Sequence, residues 1–229
     1  MFTLHIANKN YSSWSLRPWV LMRTLDIPFT EQIHPLGSSG SSYDSYRTFS
    51  PNGRVPCLQD GAQTVWDSLA ITEYLAETYP QVWPADKAAR AWARSASAEM
   101  HSGFQALRNT CGMSCGHRIE IKEISPALQK DIARINELWN QGLAQFGGEY
   151  LAGNKFTAVD AFFAPVAFRV QTYGLPLTGA AKNYLARLLT LPAMQEWYAS
   201  GLAETWREPD HEQEILAAGK LIADLRQAI

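Results

Sequence analysis

The chain has 229 residues, 46% of them hydrophobic and 18% charged, with a formal net charge of -2. That length suits about two domains of ~100 to 150 residues each, and the charge balance gives no overall attraction for nucleic acid or an anionic membrane. Its apolar runs are too short to span a bilayer, and the N-terminus lacks the basic segment, apolar core and cleavage site of a secretory signal, so a cytoplasmic protein is expected.

In chain order, Phe2-Thr3-Leu4-His5-Ile6 alternates apolar and polar residues as a half-buried strand does, and Asn8-Lys9-Asn10 breaks it with turn residues. Leu16, Val20, Leu21 and Leu25 then share one helical face. Ser15 is read as the N-cap of that helix, which puts Pro18 at N3, where a missing N–H costs little. Ser12 and Ser13 fall just ahead of it, beside free amides and the positive end of the helix dipole, where hydroxyls can donate to an anion. Simple helix capping is the competing reading of the two serines.

Phe29 to His34 forms a second strand candidate, followed by a polar surface loop from Gly37 to Tyr46 with Gly37-Ser38-Ser39-Gly40-Ser41-Ser42 at its centre. Pro56 leads into a short strand at Cys57 and Leu58, and Asp60-Gly61 is a hairpin turn into a second strand ending at Trp66. A proline at a strand entrance lets the preceding residue, Val55, offer its main-chain N–H and C=O to an extended ligand, although a structural turn has the same pattern. Asp67 and Ser68 open the next helix, which carries Leu69, Ile71, Tyr74, Leu75 and Tyr79. Their carboxylate, hydroxyl and first-turn amides suit an amino-acid head group, with ordinary capping again the alternative.

Pro80-Gln81-Val82-Trp83-Pro84 reads as a linker, after which strand patterns all but vanish. Helices are expected from Lys87 to Arg108, Pro126 to Phe146, Thr157 to Tyr173, Ala180 to Leu189, Pro192 to Leu202 and Glu212 to Gln227. Thr157 and Asp160 form a capping box with Phe156 ahead of it, and the run that follows is apolar all round, as in a buried central helix. Asp160 therefore serves stability rather than chemistry. The three cysteines, Cys57, Cys111 and Cys115, do not make a disulfide framework. Cys111, Cys115 and His117 have the residue types of a zinc site, but Gly112 and Gly116 interrupt the helix and no fourth ligand is near, so no metal is expected.

Taken together, Ser12-Ser13-Trp14-Ser15-Leu16-Arg17, Val55-Pro56 and Asp67-Ser68 resemble the glutathione transferase superfamily, most closely its zeta- and theta-like serine-type classes. Trp14 stands where the zeta motif has cysteine. The Thr157–Asp160 box is similar to that of the family's helical domain, so the resemblance covers nearly the whole chain. It implies an α/β thioredoxin-like domain with a mixed four-stranded sheet over residues 1–79, a linker at 80–86 and an all-helical domain at 87–229.

The resemblance also implies roles. Ser12, or alternatively Ser13, would donate to the glutathione sulfur; Val55 and Pro56 would hold its cysteinyl backbone; Asp67 and Ser68 would hold its γ-glutamyl group. Lowering a thiol pKa from ~8.5 to ~6.5 requires ~2.7 kcal/mol of thiolate stabilisation, within reach of a hydroxyl and a helix terminus together. With no Cys-x-x-Cys at residues 12–15, dithiol cycling is excluded. By the same analogy the pocket for a small hydrophobic electrophile lies between the domains, near Tyr11, Trp14, Arg108, Asn109 and Cys111, with Trp206 able to close it. Trp14 reads first as a core aromatic, and Arg17 as a structural group. The expected function is a homodimeric glutathione transferase carrying out conjugation, dehalogenation or cis-trans isomerisation. The alternative is a non-catalytic member of the fold that binds a protein or ligand.

Overall fold

The structure is a computed structural model, and it describes residues 1–37 and 42–228. The first strand, β1 (Phe2–Ile6), is followed by α1 (Ser13–Thr24) and by β2 (Phe29–Ile33), which pairs with β1 in parallel. After the short α2 (Ser42–Tyr46) come β3 (Cys57–Asp60), β4 (Gln63–Trp66) and α3 (Ser68–Thr78). The four strands form one mixed sheet in the order β2-β1-β3-β4, with β3 antiparallel to both its neighbours. Leu4 and Ile6 of the central strand are wholly buried, as are Leu16 and Val20 of α1 and Ile71 and Leu75 of α3, all within one continuous core.

The helical domain contains α4 (Lys87–Ser102), α5 (Gln105–Thr110), α6 (Pro126–Phe146), α7 (Ala158–Tyr173), α8 (Ala180–Thr190), α9 (Pro192–Ala203) and α10 (Pro209–Ala217). At its centre α7 is buried along almost its whole length and packs against α1, α4 and α8, which joins the two domains through one core. No described helix is long and apolar enough to cross a membrane.

The structure departs from the sequence reading at three places. Helix α1 starts at Ser13, not after Ser15, because the preceding turn is closed by Ser12 N–H to the Asn8 carbonyl at 2.9 Å. Pro18 therefore lies inside the helix, and the Ser15 hydroxyl accepts from the Ala7 amide at 3.2 Å instead of capping. The expected helix from Lys87 to Arg108 is broken at Gly103 and Phe104, the latter left-handed at φ 60°. There the Arg108 guanidinium folds back onto the carbonyls of Met100, His101 and Gly103, a cation closing a helix C-terminus.

The last expected helix stops at Ala217, and Gly219–Asp224 forms β6, antiparallel to β5 (His117–Ile121). Gly219 lies so close to the Glu120 carbonyl that a Cβ would overlap it, and pairing with β5 outweighs the helical spacing of a short apolar run. The centre of the polar loop, residues 38–41, lies outside the described residues. Its end is the α2 turn, where buried Tyr46 donates to the His34 carbonyl at 2.7 Å.

Candidate functional site

The turn that delivers Ser12 is held from the helical domain. The Lys9 and Asn10 amides donate to the Glu204 carboxylate at 2.6 and 3.1 Å, and the Trp197 indole donates to the Lys9 carbonyl at 2.8 Å. The Asn10 side-chain oxygen accepts from the Cys115 and Gly116 amides at 3.0 and 3.1 Å. The Tyr11 hydroxyl donates to Glu212 at 2.5 Å and accepts from Arg226 at 2.9 Å. Arg226 is itself buried and also bonds both Glu212 oxygens and Asp224. So many partners on a short turn leave the following residues little freedom of position.

Ser12 occupies the N-cap position of α1 but makes no capping hydrogen bond; its hydroxyl donates to Ser15 Oγ at 2.7 Å. The α1 N-terminus thus keeps its positive dipole end and offers hydroxyls beside it, the ingredients of an anion site. Ser12 and Ser13 open onto a cavity of about 410 Å³ that is also lined by Tyr11, Trp14 and Val55. The Val55–Pro56 peptide is cis. The opposite wall comes from the helical domain: Arg108, Gly112, Met113, Arg169, His211 and Glu214.

Asp67 and Ser68 adjoin this cavity without lining it. Asp67 caps α3 by accepting from the Leu69 and Ala70 amides at 2.7 and 3.3 Å, and its other oxygen is 3.4 Å from His101 Nε2. Ser68 is fully buried, with Arg17 Nη1 at 3.5 Å from its hydroxyl. Arg17, in turn, lies 4.1 Å over the Trp14 ring, so the two helix starts are joined through one arginine. Trp14 is not a core residue: it is 36% exposed at the cavity edge, between the Arg17 and Arg108 guanidinium groups.

Asn109 and Cys111 are not at the cavity. Asn109 lines a separate hollow of about 300 Å³, because the break at Gly103 turns α5 away. Cys111 is wholly buried, and burial pushes its thiol up to about 12. Cys115 is likewise buried and shifted upward, so neither thiol is poised to ionise. His117 is engaged at both nitrogens, by Ser114 and by Arg226, each at 2.9 Å. Among the described residues no cluster of three or more His, Cys, Asp or Glu is arranged to hold a metal ion. Trp206 is 49% exposed and bonds the Leu36 carbonyl at 3.0 Å, so it braces a lining residue.

The electrostatics of the cavity are dominated by arginine. Burial and then the nearby Arg108 lower Arg169 to about 10, and Arg17 is pushed well below its ordinary value by burial, Arg108 and Arg169. Arg169 Nε donates to the Cys111 carbonyl at 2.8 Å, while its Nη1 has no hydrogen-bond partner among the described residues. A charged residue in the largely apolar run after Asp160 is the sequence signal for Arg169. Arg226 and His211 carried no local signal, since their importance comes from residues distant in sequence.

A thioredoxin-like sheet domain joined to a helical domain, with an uncapped serine-bearing helix start at the cavity between them, defines a two-domain fold class. Family models of the glutathione S-transferase N-terminal and C-terminal domains match residues 11–78 and 119–200. Probable maleylacetoacetate isomerase 2 of Drosophila melanogaster is 31% identical over 170 residues, covering 72% of this chain and 74% of that protein. The zeta-class glutathione S-transferase of Euphorbia esula is 30% identical over 119 residues, 51% of this chain and 53% of its own. A glutathione transferase homologue from Burkholderia, solved with bound glutathione, superposes with a TM-score of 0.66 at 24% identity, over 87% of this chain and 97% of that one. The chain belongs to the glutathione S-transferase superfamily and is zeta-like within it.

Proposed function

We propose that this chain binds glutathione on its sheet domain, residues 1–79, and uses it against a small electrophile held by the helical domain, residues 87–229, across the linker at 80–86. The observation that carries the reading is the uncapped start of α1, with Ser12 and Ser13 at the cavity and Val55 beside them. A sulfur seated there would accept the Ser12 hydroxyl, with Ser13 the alternate donor, and gain from the helix dipole, so that thiolate becomes the resting form. The γ-glutamyl end would reach Asp67 and Ser68. Three buried free cysteines fit a reducing, cytoplasmic setting.

Arg54, Arg108 and Arg169 line the cavity with Glu214 as the one carboxylate among its described lining residues, which favours an electrophile that carries its own carboxylate. An unsaturated keto acid fits this best. Thiolate addition to its double bond would move charge onto the carbonyl oxygen, free rotation would follow, and loss of the thiolate would return the opposite isomer. Conjugation and dehalogenation use the same activated sulfur.

A homodimer belongs to this reading. Met100 and Phe104 of the first long helical segment are buried within the chain and offer no surface to a partner. Apolar surface is available at β4 and at the helix after Asp67, α3, where Val65, Trp66, Leu69 and Ala70 line an open hollow of about 590 Å³ and Trp66 is 43% exposed. A stable pairing there should bury ~1,200 Å² or more in total. Light scattering should accordingly return twice the 25.6 kDa chain mass.

Retention on immobilised glutathione, with elution by the free tripeptide, tests the reading directly. Binding is expected, and Asp67→Ala and Ser68→Ala should raise the glutathione KM more than they lower kcat. A chain that passes through the column unretained would instead be the non-catalytic member of the fold.

A further inference from the structure

A carboxylate–imidazole pair, Glu208 and His211, stands at the cavity apart from the residues assigned to glutathione. Glu208 is the N-cap of α10, accepting from the Asp210 and His211 amides at 3.3 and 2.8 Å. Its side chain is only 2% exposed, and Oε2 is also 2.6 Å from His211 Nδ1. Burial alone would raise the Glu208 pKa, but the amide and imidazole hydrogen bonds outweigh it and the net shift is downward. Glu208 is thus a carboxylate, which can only accept. It fixes the His211 proton on Nδ1 and leaves Nε2 for proton exchange.

His211 is half-buried, lines the same cavity as Ser12 and Ser13, and packs 5.4 Å from the Tyr11 ring. Its Nε2 has no hydrogen-bond partner among the described residues. The charged and titratable groups around it are Glu208 at the N-cap and Asp210, Glu212 and Glu214 on α10, Tyr11 on the serine turn, Arg226 behind Tyr11, and Tyr43, Tyr46, Arg54, Arg108 and Arg169 across the cavity. Capping explains Glu208 but does not require a histidine three residues on, nor the bond to Nδ1.

We propose that His211, oriented by Glu208, is a catalytic residue that carries the thiol proton through conjugation to an unsaturated carbonyl compound. This rests on the glutathione reading above. Ser12 and the α1 terminus hold the bound sulfur as thiolate, and His211 Nε2 keeps the proton it gives up, as imidazolium; without His211 that proton passes to solvent and the thiolate still forms. The thiolate forms a C–S bond to the alkene carbon, the π pair moves toward the carbonyl oxygen, and the imidazolium returns its proton to the carbanionic carbon. Thiol and alkene are consumed, the adduct is formed, and the imidazole is regenerated. In isomerisation the adduct loses thiolate unprotonated, so His211 sets how much adduct is trapped as conjugate.

The test uses the full chain with glutathione and cis-acetylacrylate, an unsaturated keto acid, and follows both the stable adduct and the trans isomer by proton NMR. His211→Gln should lower adduct formation by about 100-fold, keep isomer formation within about threefold, and leave retention on immobilised glutathione unchanged. In His211→Ala, added imidazole should restore adduct formation, a response that a purely structural role would not give. Wild-type partition and pH profile in His211→Gln would overturn the proposal, as would equal loss of both products. Loss of glutathione retention in the variant would overturn it too, by moving His211 to binding. If the unmodified chain shows no glutathione-dependent turnover, the underlying reading fails and this inference falls with it.

Discussion

Two helices of this chain start with a hydroxyl residue and a polar residue three positions on, and they end up opposite. At α7 the Asp160 carboxylate accepts from the Thr157 amide at 2.9 Å, the Leu151 amide at 3.0 Å and the Tyr184 hydroxyl at 2.8 Å, and it is wholly buried. At α1 the Ser12 and Ser15 hydroxyls bond each other at 2.7 Å, no side chain caps the helix, and Ser12 faces a cavity. One terminus spends its donors on the fold; the other keeps them for a ligand. Equal spacing in sequence therefore separates into stability and chemistry according to what the rest of the chain supplies.

The largest effect expected from this contrast is at Asp160. Asp160→Ala strands two amides and a phenol in the core, and should destabilise the chain by about 3 to 5 kcal/mol in denaturant unfolding, whereas Ser12→Ala should leave the transition in place. Burial raises the Asp160 pKa to about 6, above the ordinary carboxyl value of 3.8, despite the hydrogen bonds that oppose the shift. A carboxyl whose folded pKa is raised favours folding most below its unfolded value and loses that contribution as pH rises toward the folded one. Asp160→Asn should remove this slope between about pH 4 and 6.

Arg226 sharpens the comparison, because it ties the C-terminal strand to the serine turn. Arg226→Met leaves Glu212 without its cation and Tyr11 without a donor, and should cost about 2 kcal/mol of stability and lower kcat about tenfold with little change in the glutathione KM. Arg226 holds Asp224 down to about 2 and also lowers Glu212. A depressed carboxyl pKa stabilises above the unfolded value and loses that contribution as pH falls through the folded one. The variant should consequently lose less stability than the parent between pH ~4.5 and ~2. The smallest effect belongs to Arg169. Arg169→Met should raise KM about tenfold for a carboxylate-bearing electrophile and leave a neutral one unaffected.

The sheet domain was legible because its signals are local. A strand of period two, a hairpin at Asp60-Gly61, a cap at Asp67 and the Ser12-Ser13 turn each depend on neighbours in sequence. The wall facing Ser12 was legible only in outline, since it is assembled from α5, α7 and α10. Arg108 was named beside Asn109, but a left-handed Phe104 rotates the segment and gives the cavity Gly112 and Met113 in place of Asn109 and Cys111. Residues 219–224 read as helix in sequence because a few apolar residues fit both periods, and the distant partner strand His117–Ile121 decides between them. Ser15 was expected to cap α1; its hydroxyl is instead used by Ala7, a contact that follows from the packing of β1 against the helix.

The account turns on Ser12 acting on a sulfur that the open α1 terminus attracts. Ultraviolet absorbance of the thiolate, followed against pH with glutathione bound to the unmodified chain and to Ser12→Ala, measures this most directly. The unmodified complex should ionise about two units below the ~8.5 of a free thiol, and Ser12→Ala should move the midpoint up by at least one unit, at ~1.4 kcal/mol per unit, with folding unchanged. Coincident titrations, or a bound thiol that ionises where the free one does, would contradict the assignment of that terminus to thiolate stabilisation.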